Sequence, residues 1–369
     1  MLIYVTGLRG IPGVMGGIET HCEELLPRIA GREAGVSITV AGRRPYLPGL
    51  PAYGAEFRGV KVTATASTRK QSTEAITGTL TAIFAAHRAG ADAIHIHAIG
   101  PGLLTPLARL LGLRTVVTHH GTDYDRAKWG WFARTMLRLG ENLSVYFADR
   151  VIAVSPSLAE TLKRRFPLRA NRIAYVPNGA PSLASDGEDS NSVLERFGLE
   201  PGNYILTVGR LVPEKGADYL IRAYRKSGNP CKLVIAGAAD HESGYARALM
   251  EEADERVVFT GLQSREVLRH LYENAALFVL PSFHEGLPIC ALEAAHCGAP
   301  MLMSNIPANL DLGLPEAHYF PVGDEAALSK CLQKPYGAFA VDSEAVRARF
   351  DWDRIADQTL EIYRMLVKK

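Results

Sequence analysis

An apolar strand-like run followed by an amphipathic helix-like run, repeated along nearly the whole chain, limits what this polypeptide can fold into more than any other feature. Strand patterns fall at residues 2–6, 36–41, 60–65, 93–96, 115–118, 150–154 and 173–176. Helix patterns lie between them at 18–29, 72–89, 103–111, 126–147 and 157–165. Helical crossovers between strands predict a parallel sheet wound on both faces, an α/β fold. The alternation then stops at 182–192, Ser-Leu-Ala-Ser-Asp-Gly-Glu-Asp-Ser-Asn-Ser, a polar stretch with the composition of a linker. It restarts with strands at 204–208, 232–236, 257–259, 277–280 and 299–304 and helices at 217–224, 244–252 and 264–272. Two Rossmann-like doubly wound domains follow, 1–178 and 179–350, in keeping with 369 residues, too many for one core.

Charge narrows the partners. With 41 basic and 39 acidic residues the net charge is +2, which argues against nucleic acid as the main ligand. No run approaches the roughly 18–20 apolar residues of a membrane span. Met1-Leu-Ile-Tyr-Val enters a strand without a basic head, so a cytosolic location is expected. Cys22, Cys231, Cys290, Cys297 and Cys331 have no CxxC spacing, which argues against a zinc cluster or a disulfide framework.

Chemistry concentrates just after strands. Phe283-His-Glu-Gly-Leu-Pro-Ile-Cys-Ala-Leu-Glu293 carries Glu285 in a loop and Glu293 in the helix opened by Gly286-Leu287-Pro288, about one and a half turns in. Gly209-Arg210-Leu-Val-Pro-Glu-Lys215-Gly216 sets two cations beside glycines at a helix start. Such a loop neutralises a diphosphate, Arg210 as a bidentate donor and Lys215 as a point charge. A glycine loop, 7–17, precedes the first helix and allows close backbone approach of a ligand at Gly16 and Gly17. His95, His97, His119 and His120 stand at two strand ends. With few carboxylates near them they are expected to be hydrogen-bonded pocket residues, and no metal is expected. In the 126–147 helix, Trp129, Phe132, Ala133, Met136, Leu137 and Leu143 share a face expected to pack on the sheet. Trp131 projects oppositely among Lys128, Arg134 and Arg138, a set suited to peripheral docking on an anionic membrane.

The order Gly16-Gly17, His95-x-His97, His120-Gly121, Asn178-Gly179, Arg210…Lys215, Glu285…Glu293 resembles that of retaining glycosyltransferases of family 4 along essentially the whole chain. The resemblance implies the GT-B fold, two domains facing across a cleft, with the helix in 351–369 crossing back to the first domain. It implies transfer of a hexose-type sugar, with retention and without a metal or other cofactor, from a nucleotide-diphosphate donor to a saccharide acceptor. Arg210 and Lys215 would stabilise the leaving diphosphate, Glu293 would hold the ribose, and Glu285 with His120 would orient the donor sugar. Gly16, Gly17, Leu262, Gly286 and Leu287 would line the donor site. Asp123-Tyr-Asp125 mimics a metal-binding motif of another glycosyltransferase architecture but lacks its surroundings. Leu8-Arg-Gly-Ile-Pro-Gly, His97-Ala-Ile-Gly-Pro101 and Asp123–Trp129 look most like bacterial surface-polysaccharide enzymes, including rhamnosyltransferase-like members, whose acceptor is lipid-linked at the inner membrane face. The donor stays open among UDP-hexose, UDP-N-acetylhexosamine, GDP-mannose and dTDP-rhamnose. A non-catalytic nucleotide-sugar-binding module is the alternative.

Overall fold

Strands rich in Ile, Val and Leu that are buried on both faces build two separate parallel sheets. A computed structural model describes residues 1–70, 73–125, 130–180, 187–239 and 243–367. The chain divides into one unit of Met1–Gly179 with Asp351–Lys369 and a second of Ala180–Phe350.

The first unit holds β1 (Leu2–Thr6), β2 (Ser37–Arg43), β3 (Ala55–Phe57), β4 (Val60–Thr65), β5 (Ala93–His97), β6 (Arg114–His119), β7 (Arg150–Ala153) and β8 (Ile173–Tyr175). They are ordered β3-β4-β2-β1-β5-β6-β7-β8, all parallel except the short edge strand β3. Helix Gly17–Ala30 packs Cys22, Leu25, Leu26 and Ile29 into the core under this sheet. Trp352, Ile355, Leu360, Tyr363 and Leu366 of helix Trp352–Val367 join the same core, so the end of the chain completes the unit that its beginning starts. Ion pairs from Arg32 to Asp353 (2.9 Å) and Asp357 (2.5 Å), and from Arg364 to Glu33 (2.8 Å), set its register. Being at the surface they contribute little energy. The apolar row does the binding.

The second unit holds β9 (Tyr204–Val208), β10 (Lys232–Ala236), β11 (Val257–Gly261), β12 (Leu277–Leu280), β13 (Met301–Ser304) and β14 (Tyr319–Phe320), ordered β11-β10-β9-β12-β13-β14 and parallel throughout. Leu220, Ile221 and Tyr224 of helix Ala217–Ser227 pack on Ile205, Leu233 and Leu277.

Several elements differ from the sequence reading. The third long helix of the first unit is described from Trp131 to Phe147, and its expected start at 126–129, including Trp129 and Lys128, lies outside the described residues. Phe132, expected on the packed face, is 62% exposed, because the helix contacts its neighbours mainly through its second half, where Gly140, Glu141, Ser144 and Val145 are buried. Within the polar stretch 182–192, residues 182–186 lie outside the described residues, and Ser190–Glu195 forms a short helix capped by the Asp189 carboxylate on Ser192 N–H. The three-residue strand β3 and the two-residue strand β14 carry no periodicity long enough to be read. Among the described residues no helix is long and apolar enough to cross a membrane.

Candidate active site

In an open parallel sheet, ligands gather where the strand order reverses, outside the carboxyl ends of the two strands concerned. In the first unit the reversal is at β1 and β5, and in the second at β9 and β12. The glycine loop and His97 follow the first pair. Arg210, Lys215 and Glu285 follow the second.

In the first unit Gly7 leaves β1 with φ +98°, and a Cβ there would lie 2.2 Å from the His97 carbonyl oxygen, so only glycine lets the loop pass against β5. Arg43, paired with Glu74 at 2.9 Å, donates to the Gly7 carbonyl at 3.0 Å and holds that crossing in place. The loop folds back on the helix it precedes: Arg9 N–H donates to Glu19 Oε1 (2.8 Å) and Gly13 N–H to Glu23 Oε2 (2.9 Å). The buried Glu19 carboxyl has its pKa raised by burial, partly offset by Arg9. A carboxylate thus already stands in the first turn beside Gly16 and Gly17, where a phosphate would meet like charge.

Period-two alternation places His95 and His97 on one face of β5, their rings 4.2 Å apart. His95 is held on both sides, Nδ1 to the Tyr363 hydroxyl and Nε2 to Thr118 Oγ1, each at 2.6 Å. His97 Nδ1 meets His120 Nε2 at 2.9 Å, and His97 Nε2 lies 3.6 Å from Cys22 Sγ. His21 enters from helix Gly17–Ala30, one turn after Gly17, with Nδ1 2.9 Å from Asn178 Oδ1. One nitrogen from each of His21, His97 and His120 lies within 4.8 Å of the others. Burial depresses all of these rings, His21 to about 4 and His95 to about 3, with His97 and His120 well below the usual imidazole range and further lowered by neighbouring histidines. At neutral pH the cluster is an uncharged set of hydrogen-bonding groups. His119 turns to the other face of β6, where it, Tyr124 and Arg165 surround the Glu141 carboxylate. The Asp123–Asp125 turn is therefore fixed by Tyr124, between its two acids.

In the second unit the turn Pro213–Lys215 ends at Gly216, in the left-handed conformation (φ +69°), where a Cβ would lie 2.5 Å from the Pro281 carbonyl oxygen. That close approach, with Phe283 N–H donating to the Glu214 carbonyl at 2.9 Å, ties the loops after β9 and β12 together. Lys215 Nζ then reaches Glu285 Oε1 at 2.5 Å, and Ser282 Oγ donates to the same oxygen at 2.7 Å. Burial pushes the Glu285 carboxyl up, but the charge and hydrogen bonds of Lys215 and Ser282 outweigh it and hold it below the usual carboxylate range. Arg210 and Lys215 line one small pocket with Thr207, Gly209 and Leu280.

Helix Ile289–His296 begins after Pro288 with no side-chain cap, so Gly286 and Leu287 precede it, and Glu293 is its fifth residue, a little over one turn in. Glu293 is buried and accepts from the Tyr272 hydroxyl at 3.1 Å. Leu262, 57% exposed, follows the end of β11. Sequence reasoning missed the ion pair between Lys215 and Glu285, and the entry of His21 and Asn178 into the histidine cluster. The spacing Gly17 to His21, one helical turn, is the signal that could have found His21.

Residues 194–329 match the family model described as glycosyl transferases group 1, and residues 15–181 match glycosyltransferase family 4. An uncharacterised glycosyltransferase of Methanocaldococcus jannaschii is 30% identical over 247 residues, 62% of this chain and 63% of the relative, so the matched part spans less than two thirds of that relative's length. Alpha-maltose-1-phosphate synthase of Mycolicibacterium smegmatis is 30% identical over 322 residues, 74% of this chain and 79% of the relative. Sucrose-phosphate synthase of Thermosynechococcus elongatus has the same fold, with a TM-score of 0.82 over 99% of this chain and 98% of that one at 23% identity. With two Rossmann-like sheets, both family models in their expected halves and a relative matched over most of its length, the chain belongs to the glycosyltransferases of the GT-B fold.

Proposed function

We propose that this protein transfers a hexose-type sugar from a nucleotide-diphosphate donor to a saccharide hydroxyl, with retention of configuration and without a metal ion in the chemistry. The observation that carries this reading is the Lys215–Glu285 pair at the strand-order reversal of the second unit, beside Arg210 and on the same segment as Glu293. A cation and a carboxylate held together by a 2.5 Å contact offer the two groups a nucleotide sugar needs, one for diphosphate and one for sugar hydroxyls.

On this reading the charge that develops on the leaving diphosphate is met by Arg210 as a fork of donors and Lys215 as a compact cation. Glu285, held ionised, accepts from donor-sugar hydroxyls, and Glu293 accepts from the ribose. Gly286, Leu287 and Leu262 supply backbone and apolar contacts to the nucleotide. Neutral His120 hydrogen-bonds the donor sugar near its reacting carbon. With Glu19 in the first turn of its helix, the Gly16-Gly17 loop suits sugar hydroxyls better than phosphate. No carboxylate is placed here as a covalent nucleophile; the donor phosphate itself takes the acceptor proton as the new glycosidic bond forms on the same face.

The test is a thermal-shift screen against UDP, GDP, dTDP and CDP in metal-free buffer. One nucleotide present at about 100 times its Kd is expected to add about 2.7 kcal/mol to stability and to stand out from the others. No shift with any of the four overturns the donor site. A non-catalytic binding module would show the shift but no transfer in a product assay.

A second observation bears on the acceptor. Trp131 (80% exposed) and Phe132 stand at the described start of their helix with Arg134 and Arg138 one and two turns on, an apolar and cationic set that suits an anionic bilayer at the inner membrane face and hence a lipid-linked saccharide in surface-polysaccharide synthesis. Flotation with vesicles containing phosphatidylglycerol is expected to recover the wild type and to lose most of it on Trp131→Ala. Equal recovery of both rejects membrane docking and leaves a freely diffusing saccharide as acceptor.

A further inference from the structure

We infer that His21, His97 and His120 form a binding site for a divalent transition cation of borderline softness, Zn2+ being the reference ion, with its fourth coordination position open. The three rings come from separate elements, the helix after the glycine loop, the end of β5 and the residue following β6, and present one nitrogen each within 4.8 Å of the others. A tetrahedral Zn2+ with Zn–N bonds of about 2.0–2.1 Å separates its nitrogens by about 3.4 Å. His97 Nδ1 and His120 Nε2 are 2.9 Å apart, so seating an ion requires that pair to open by a few tenths of an ångström and His21, within 4.8 Å of both, to close to about 3.4 Å.

The surrounding contacts orient the rings for this. An amide oxygen only accepts, so the 2.9 Å contact of His21 Nδ1 with Asn178 Oδ1 fixes the proton on Nδ1 and leaves the Nε2 lone pair outward. His97 Nε2 meets Cys22 Sγ at 3.6 Å, which leaves Nδ1 as its ligand atom, and His95 stacked 4.2 Å behind restricts its rotation. The neighbouring histidines are not part of the site. His95 has both nitrogens engaged by Tyr363 and Thr118, and His119 faces Glu141. The sequence-level objection, too few carboxylates, does not apply to a set of three imidazoles and a water, which binds zinc without any. Entry of the ion displaces the proton shared by His97 Nδ1 and His120 Nε2. Moving that proton to His120 Nδ1 keeps both rings neutral, so no proton need be released. The fourth position falls to water, and His120 is the least buried of the three rings.

Binding here is independent of the transferase assignment and opposes it functionally, since a bound ion withdraws His120 from a sugar. The test uses the full chain, freed of metal with a chelator and titrated with CoCl2, whose visible absorption reports tetrahedral nitrogen coordination; Zn2+ then competes. One Co2+ per chain is expected, displaced by one Zn2+. His21→Ala and His120→Ala are each expected to weaken binding at least tenfold, and Asn178→Ala, which acts through His21, by about ten- to a hundredfold. Circular dichroism checks that each variant folds, and the half-buried His120 carries the test if the buried positions do not tolerate change. Absence of binding, binding unchanged in His120→Ala, or a thiolate-to-cobalt charge-transfer band showing that cysteines take the ion, each overturns the site.

Discussion

Replacing Lys215 by Ala is expected to lower kcat for sugar transfer by about 10²–10³, the effect of removing one preorganised group from a developing oxyanion, or roughly 3–4 kcal/mol. The loss should fall on kcat more than on KM, because the diphosphate carries more charge as the glycosidic bond breaks than in the bound donor. The Lys215–Glu285 contact adds a second signature. Without the cation, burial of Glu285 is opposed only by Ser282 and His284 and its carboxyl rises, so the variant's activity should shift its acid limb to higher pH. Lys215→Arg should restore little, because a planar fork does not replace a point charge 2.5 Å from one carboxylate oxygen. Arg210→Ala should fall in the same range, and the double variant should lose less than the product of the two, since both serve one leaving group. Steady-state kinetics with the nucleotide found by thermal shift decides it. Activity of Lys215→Ala within threefold of wild type removes the diphosphate role.

Acid should unfold the first unit unusually early. His21, His95 and His97 are buried and neutral, with folded pKa values of about 4, about 3 and well below 6.5. Because these values are depressed, the unfolded chain binds more protons than the folded one between roughly pH 6.5 and 4. The rings therefore contribute stability that is complete above pH 6.5 and lost as pH falls through that window. One unit below the unfolded value costs about 1.4 kcal/mol per ring, so moving from pH 7.5 to 5.5 removes about 3 kcal/mol from His21 and His95, and His97 and His120 add to it. That is a large share of an ordinary domain stability of about 5–15 kcal/mol. Glu141 and Glu285, held below the usual carboxylate range, give up their contribution at lower pH still, and Glu19, raised by burial, works weakly the other way. Urea midpoints of chelator-treated protein at pH 7.5, 6.5 and 5.5 measure it. A flat profile across those values would show that the rings are solvated.

What the sequence disclosed followed a physical divide. Side-chain periodicity is local, so the two alternating halves, the placing of His95 and His97 at a strand end and the loops after strands 204–208 and 277–280 were all legible. Pairing across space was not. Arg210 and Lys215 were read as phosphate ligands and Glu285 as a sugar ligand, each from its own loop, yet Lys215 and Glu285 bond to each other across 70 positions of chain. Phe132 shows the same divide from the other side: helical spacing told which residues share a face with it, while its exposure depends on whether a neighbour covers that turn. The four histidines read as a group split because successive residues of β6 and the turn after it point to opposite faces, and His21, from a helix, took the vacant place beside His97 and His120.

The Tyr363 hydroxyl on His95 joins residues 268 positions apart, and the core under the first sheet takes a row of side chains from Trp352 to Leu366. On the ribosome these partners emerge after residues 180–350. The unit of residues 180–350 is continuous in sequence and is able to complete its own core as soon as it leaves the exit tunnel, whereas the amino-terminal unit, synthesised earlier, must wait with a strip of its sheet and helix Gly17–Ala30 uncovered. The half made first is therefore the half whose core closes last.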